Sequence, residues 1–218
     1  VIDVVSIKMD KKTGKIDRSN EFFDFIVQAD YLSKYISSNK AIKNKNIHSN
    51  NYLTFFIKKE NVHKKLTNEI IEEYYNILRD PYMKYKEPSK SESGKLYKSF
   101  EEKYGKPNIE EIDKVESWIK NNIFKLVDED SKDKSYLKIF FKYDLKTYKI
   151  ESKRYVLINI YNSNDYNIEI NGKTYGLPND NMGMNSKKRY LGNKTRKVSI
   201  PYLLTEEEVL LQKRFFDY

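Results

Sequence analysis

The stretch YNIEINGKTYGLP, residues 166–178, carries the strongest short-range structural signal in the chain. Asn171-Gly172 separates two runs in which apolar and polar residues alternate. This dipeptide is favoured in the two-residue turn of a β-hairpin, because both turn positions need a positive φ. The sequence therefore predicts two antiparallel strands that meet at Asn171.

Segments before the hairpin also have a β-like texture. YLKIFFKY (136–143), KTYKIE (146–151) and RYVLINIYN (154–162) are rich in aromatic and β-branched residues, as strands are. Val1 to Met9, VIDVVSIKM, predicts a further strand, and Gly14 supplies the freedom for the turn that follows. NYLTFFIKK (51–59) is compatible with a short strand or with the start of a helix.

Helical periodicity dominates the middle of the chain. KPNIEEIDKVESWIKNNIFKLV (106–127) places its apolar residues on one face, with Asn108 as the N-cap. A second helix runs from Asn61, with Thr67 as a possible cap, and ends at Pro81. A shorter one around YKSFEEKYG stops at Gly105. Ser19 or Asn20 is expected to cap a helix that begins near Glu21.

Thr205 and Glu208 form a capping box for the last helix, EEEVLLQKRFFDY. The order of a strand and helices, then an antiparallel β-meander and hairpin region, then a C-terminal helix predicts a single α+β domain over residues 1–218. Residues 33–51 are expected to form a long polar loop. Residues 84–96 resemble a linker and are expected to be mobile.

Composition limits the chemistry. The chain has 218 residues, a net charge of +9, no cysteine and two histidines, His48 and His63. Without cysteine it has no disulfide, no thiol nucleophile and no iron–sulfur cluster, which fits a reducing, cytoplasmic environment. The apolar runs are too short to cross a bilayer, so we expect no membrane partner. The positive charge favours polyanionic partners, although a biased base composition is a plain alternative explanation for it.

The sequence contains none of the common catalytic motifs that we sought. It has no phosphate-binding P-loop, no G-x-S-x-G elbow and no H-E-x-x-H pair. We therefore expect a protein that is not an enzyme and has no cofactor. The main enzymatic alternative is a metal-dependent nuclease in which Asp144, Glu151 and Lys153, on neighbouring strands, hold Mg²⁺.

The basic charge is concentrated in NMGMNSKKRYLGNKTRKVSIPYLL, residues 181–204. Six cationic residues fall there, and no acidic residue lies between Asp180 and Glu206. Lys and Arg beside exposed backbone amides suit phosphate oxygens, asparagines suit base edges, and a tyrosine can stack on a base. The predicted nucleic-acid-binding residues of this segment are Lys187, Lys188, Arg189, Lys194, Arg196, Lys197, Asn185, Asn193 and Tyr190. A solvated basic loop is the alternative.

Two blocks resemble the large subunit of type I-B CRISPR surveillance complexes (Cascade). They are GMNSKKRYLGNKTRKVSIPYLL with LLQKRFFDY, and the earlier KNIHSNNYLTFFIKKE (45–60). Members of that family are considerably longer, so the resemblance implies that this chain is an N-terminal portion. It adds His48, Asn50 and Asn51 to the candidate nucleic-acid-binding residues.

The resemblance also implies a function in antiviral defence. The large subunit of these complexes binds the 5′ handle of the guide RNA, contacts the protospacer-adjacent motif (PAM) of target double-stranded DNA, and helps to recruit the helicase-nuclease effector. Guide pairing supplies most of the sequence specificity. The implied partners are the guide RNA, the target DNA, the other Cascade subunits and the effector. A third interpretation is a protein-docking module whose basic loop meets an acidic partner without direct contact to nucleic acid.

Overall fold

The computed structural model describes Asp10 and residues 12–33, 46–179 and 203–216. Its helices are α1 Phe23–Ser33, α2 Lys59–Lys65, α3 Asn68–Arg79, α4 Tyr82–Tyr85, α5 Glu92–Tyr104, α6 Ile109–Asn122, α7 Leu145–Asn159 and α8 Glu206–Phe216. Its strands are β1 Thr54–Lys58, β2 Tyr136–Phe140, β3 Ile168–Ile170, β4 Lys173–Gly176 and β5 Leu204–Thr205. Strands β1 and β2 form one antiparallel sheet, and β3, β4 and β5 form another. The predicted α+β class is confirmed.

Tyrosine is a major component of the larger core. The side chains of Tyr74, Tyr75, Tyr97, Tyr148 and Tyr155 are buried among the helices and beneath β1. A buried hydroxyl is costly unless it is hydrogen-bonded, and the backbone supplies several of the partners. Tyr148 Oη donates to the Leu53 and Phe141 carbonyls at 3.1 and 2.6 Å, and Tyr155 Oη donates to the Ile77 carbonyl at 3.0 Å. Much of the tyrosine content therefore serves the core.

Local signals in the sequence placed several helix ends correctly, although the helix predicted from Asn61 to Pro81 is divided at Leu66 and Thr67 into α2 and α3. Thr67 caps α3 by accepting from the Ile70 amide at 3.4 Å, and Asn108 caps α6 by accepting from the Glu111 amide at 3.3 Å. Helix α3 ends at Arg79, just before Pro81, and α5 stops at Gly105, whose φ is 85°. At the first helix Asn20 Oδ1 accepts from the Phe22 amide at 2.8 Å, and the helix begins at Phe23.

The predicted hairpin and the capping box are confirmed. Asn171 and Gly172 have φ values of 51° and 71°, and Ile170 pairs with Lys173 across the turn. The Thr205 amide donates to Glu208 Oε2 at 2.8 Å, and the Glu208 amide donates back to Thr205 Oγ1 at 3.4 Å. The short strand predicted within residues 51–59 is β1. The strand predicted at Val1–Met9 lies outside the described residues.

The two strands predicted within residues 146–162 were wrong, because most of this segment belongs to helix α7, which ends at Asn159. Its buried side chains recur at helical spacing, at Tyr148, Glu151, Ser152, Arg154, Tyr155 and Ile158, and three of them, Glu151, Ser152 and Arg154, are polar or charged. Glu151 and Arg154 neutralise each other inside the fold. Because two charged residues lie on the buried face of α7, the spacing of apolar residues along the sequence does not reveal this helix.

The linker-like stretch 84–96 also contains helix. Residues 92–96 open α5, and Ser91 caps it by accepting from the Gly94 amide at 2.9 Å. Gly94 is buried, and a side chain there would collide with the backbone of Lys86 and Glu87. The absence of a side chain at Gly94 lets the chain before α5 pack directly against it.

Candidate nucleic-acid interface

The three-stranded sheet contains the strands that precede and follow the basic residues in the chain. Strand β5 pairs with β4 so that Gly176 lies opposite Leu204 and Tyr175 lies opposite Thr205. The chain leaves this sheet after β4 and returns at β5, and the whole basic cluster lies between the two strands in sequence. The nine predicted residues of the cluster, from Asn185 to Lys197, lie outside the described residues.

A small second core supports this sheet. It consists of Ile160, Tyr161, Leu204 and Val209, with Leu210 packed against it. The Asn179 amide donates to the Ile160 carbonyl at 2.7 Å, and the Asn162 amide donates to the Leu177 carbonyl at 2.8 Å. These bonds tie the chain after β4, as far as Asn179, to the end of α7.

An ion pair joins α7 to the helix that follows the segment. Lys153 Nζ lies 2.8 Å from Glu206 Oε1, and both side chains are less than one quarter exposed, at 21% and 24%. Glu206 is the first residue of α8, where a carboxylate is also favoured by the helix dipole. The contact ties the first residue of α8 to α7.

The second predicted group, His48, Asn50 and Asn51, lies beside β1. Asn51 is fully buried and both ends of its amide are engaged: Nδ2 donates to the Tyr148 carbonyl at 3.1 Å, and Oδ1 accepts from the Leu53 amide at 3.0 Å. Asn50 is 3% exposed, and its Oδ1 has no hydrogen-bond partner among the described residues. Neither amide faces outward, so this fold does not present them as readers of base edges.

His48 is partly buried, and its ring lies on the same side of the sheet as Tyr136. Its ring packs edge-to-face against Tyr136, with ring centroids 5.3 Å apart. Burial, and after it the charge of Lys58, lowers the pKa of His48 below its usual value. His48 is therefore the one member of this group whose side chain is not fully enclosed by the fold.

The residues of the nuclease alternative do not form a shared metal site. Asp144 caps α7, with Oδ1 accepting from the Thr147 amide at 2.9 Å. Glu151 is paired with Arg154, and Lys153 with Glu206. Asp144 and Glu151 are seven residues apart along one helix, a rise of about 10 Å, which is too long for both carboxylates to bind one Mg²⁺. Within the described part of the chain no cluster of three or more His, Asp or Glu side chains is arranged to hold a metal ion.

Sequence reasoning missed Tyr136 and Lys58 as members of a possible interface. Each is unremarkable in a chain with 19 tyrosines and 41 lysines and arginines. They become neighbours through the antiparallel register of β1 and β2, in which Lys58 lies opposite Tyr136. The alternation in YLKIFFKY was the available signal, but the pairing partner was not readable from the sequence.

Comparisons with known proteins give no relative for this chain. No protein-family model, no curated protein and no solved structure matches it. Among the described residues, no helix has the length and apolar character needed to cross a membrane.

Proposed function

We propose that the chain is a non-catalytic nucleic-acid-binding subunit of a type I-B CRISPR interference complex. In this role it contacts the 5′ handle of the guide RNA, PAM-proximal target DNA, or both, beside the other Cascade subunits and the helicase-nuclease. The observation that carries the proposal is the concentration of six cations, with no acidic residue between Asp180 and Glu206. The resemblance of the surrounding blocks to the large subunit directs the proposal to this complex.

The anchoring of the segment supports the proposal. The strands that flank it, β4 and β5, are paired with each other, so the fold and not a ligand pays the entropy of bringing these two points of the chain together. A cluster of cations held at one place on the protein binds a polyanion more tightly than the same cations spread over the surface. The phosphate backbone is the ligand chemistry that best matches this charge.

The test is a salt series with two labelled ligands, a guide-RNA 5′ handle and a short DNA duplex, followed by fluorescence anisotropy. If the protein makes six phosphate contacts, an increase in salt from about 50 to about 200 mM should weaken binding by about a thousandfold. Replacement of the six basic residues with Ala should lower the affinity and flatten the salt dependence. The six residues are Lys187, Lys188, Arg189, Lys194, Arg196 and Lys197.

A matched control removes the same charge from other surfaces. Six exposed lysines on α2, α7 and the loops around α5 are replaced with Ala: Lys64, Lys65, Lys90, Lys106, Lys146 and Lys149. This control should retain most of the wild-type affinity. Equal losses in both variants would contradict a specific basic site, and would leave net charge as the cause of binding.

One observation favours the protein-docking interpretation as a second candidate. Helix α8 exposes Leu211 and Phe215, one turn apart, at 69% and 76%. Exposed apolar side chains on one helix face are typical of protein contacts. A double variant, Leu211→Ser with Phe215→Ser, should leave nucleic-acid binding unchanged and weaken assembly with the other subunits. Loss of nucleic-acid binding in this variant would contradict the separation of the two surfaces.

A further inference from the structure

The outer face of the β1–β2 sheet is built from aromatic and cationic side chains. On β1 the residues Phe55 and Ile57 belong to the main core, whereas Phe56 and Lys58 point to the opposite side, where Phe56 is covered (2% exposed) and Lys58 is partly exposed. The cross-strand partner of Phe56 is Lys138, whose Nζ lies 4.9 Å from the centre of the Phe56 ring. Lys138 is also paired with Asp30, so its charge is already matched.

His48 and Tyr136 meet across this face. The His48 amide donates to the Phe56 carbonyl at 2.8 Å, and Ile47 bridges Ile57, so this segment follows the edge of β1 that β2 leaves open. The two rings come from opposite sides of β1, with centroids 5.3 Å apart and planes at 86°. Tyr136 remains 40% exposed in this arrangement. The contact therefore holds a solvent-accessible ring in a fixed position on a sheet.

Lys58 supplies the free charge beside these rings. It lies directly opposite Tyr136 in the register, where side chains share one face of the sheet. Among the described residues it forms no ion pair, unlike Lys59 and Lys138. Because the pKa of His48 is lowered, its imidazole is mostly neutral at physiological pH, and the cation of this group is Lys58.

We propose that His48, Lys58 and Tyr136 form a stacking platform for one unpaired base of a single-stranded nucleic acid. The base stacks on the exposed surface of the Tyr136 ring, His48 holds that ring from the side, and the Lys58 ammonium binds the adjacent phosphate. Aromatic rings on an exposed sheet face bind unpaired bases in this way, and a paired base inside a duplex cannot reach such a ring. The inference deepens the proposed function, on which it rests for the class of ligand.

The experiment uses the whole chain and three labelled probes of one sequence: single-stranded RNA and single-stranded DNA of about 12 nucleotides, and the blunt DNA duplex. Tyr136→Leu removes the ring, Tyr136→Phe keeps it, and Lys58→Gln removes the charge. Tyr166→Leu is the matched ring control because Tyr166 is 81% exposed outside this sheet. Lys90→Gln is the matched charge control.

Loss of the ring should weaken single-strand binding by about tenfold and leave the salt slope and the duplex affinity unchanged. Tyr136→Phe and both controls should bind as the wild type does. Lys58→Gln should reduce the salt slope for single strands by about 0.7, the value for one phosphate contact. Photocrosslinking of a bromouridine-substituted single strand should map to Tyr136 or His48, which reports on the platform without any variant. The two single-stranded arms show whether RNA or DNA is the natural source of the base.

Several outcomes would overturn the platform. They are unchanged single-strand binding by Tyr136→Leu, an equal loss for the duplex, or crosslinks that map elsewhere.

Failure of the broader proposal is recognised separately. If the sixfold basic variant loses binding while Tyr136→Leu does not, the proposed function stands and the platform fails. If the basic variant keeps a single-strand affinity that needs Tyr136, the platform stands alone. A wild-type chain that binds none of the probes contradicts both.

Discussion

Gly176 lies directly opposite Leu204 in an antiparallel pair, although the whole basic cluster separates them in the chain. This pairing places the strand before the basic residues beside the strand after them. Gly176 is buried beside the Tyr161 ring and the Asn167 side chain. The smaller core and the candidate interface therefore depend on the same few residues.

Gly176→Ala is expected to destabilise the protein by about 1–3 kcal/mol, because the added Cβ would collide with Tyr161 and Asn167. Urea unfolding followed by circular dichroism measures the change. Lys173→Ala, an exposed position on the same strand, should change the free energy of unfolding by less than about 0.5 kcal/mol. Similar values for the two variants would show that Gly176 is not tightly enclosed.

Glu151→Gln is expected to lower the free energy of unfolding by about 3–5 kcal/mol. Arg154 is 1% exposed, and Glu151 holds it through two hydrogen bonds of 3.0 and 2.9 Å. Burial disfavours the charge of Arg154, but the bonds to Glu151 outweigh this cost and raise the pKa of the guanidinium. The variant leaves a buried charge without its counter-charge.

Glu92→Gln is the control for this prediction. Its carboxylate is 45% exposed and also pairs with a cation three residues away, Lys95. An exposed pair of this kind contributes less than about 1 kcal/mol, so the two variants should differ clearly in chemical denaturation. Equal stabilities would mean that water or rearrangement compensates for the loss of the Glu151 charge.

Asn51→Ala is expected to cost about 1–3 kcal/mol, because it leaves the Tyr148 carbonyl and the Leu53 amide without their buried partner. Asn50→Ala should cost less, since Asn50 Oδ1 has no partner to lose among the described residues. Under conditions where both variants are folded, Asn51→Ala should bind nucleic acid with wild-type affinity. A change in base preference at constant stability would instead support the base-reading role predicted from the sequence.

The stability of the fold should decrease in mild acid partly through His48. Its folded pKa lies below the ordinary value of 6.5, so the unfolded chain takes up the proton at higher pH than the folded chain does. The contribution of neutral His48 is present above pH 6.5 and is lost as the pH falls towards the folded pKa. Between about pH 7.5 and about pH 5.5, the wild type should therefore lose more stability than His48→Gln.

Lys58→Gln provides an intermediate case for this pH dependence. It removes the nearby positive charge but leaves the burial of the imidazole, which is the larger cause of the lowered pKa. The loss of stability between the two pH values should fall between those of the wild type and His48→Gln. Parallel curves for the wild type and His48→Gln would show that the histidine does not contribute.

The sequence by itself determined the features whose causes are local. The Asn171-Gly172 turn, the Thr67 and Asn108 caps, the Gly105 stop and the Thr205–Glu208 capping box each depend on neighbouring residues, and each is confirmed. The α+β class follows from their order along the chain. The concentration of basic residues in 187–197 is likewise a property of the sequence alone.

Tertiary structure decided the features that depend on partners distant in the chain. In helix α7 the pair Glu151 and Arg154 has local spacing, but its burial does not follow from the sequence, because Arg154 is enclosed by the distant Tyr97 hydroxyl and Gly105 carbonyl to which it donates. Asn51 is internal because Tyr148 and Leu53 meet around it. Tyr136 and Lys58 lie beside each other only through the register of two strands separated by five helices, α2 to α6. A side chain's availability to a ligand is set by what packs over it, and packing brings together residues that the sequence keeps apart.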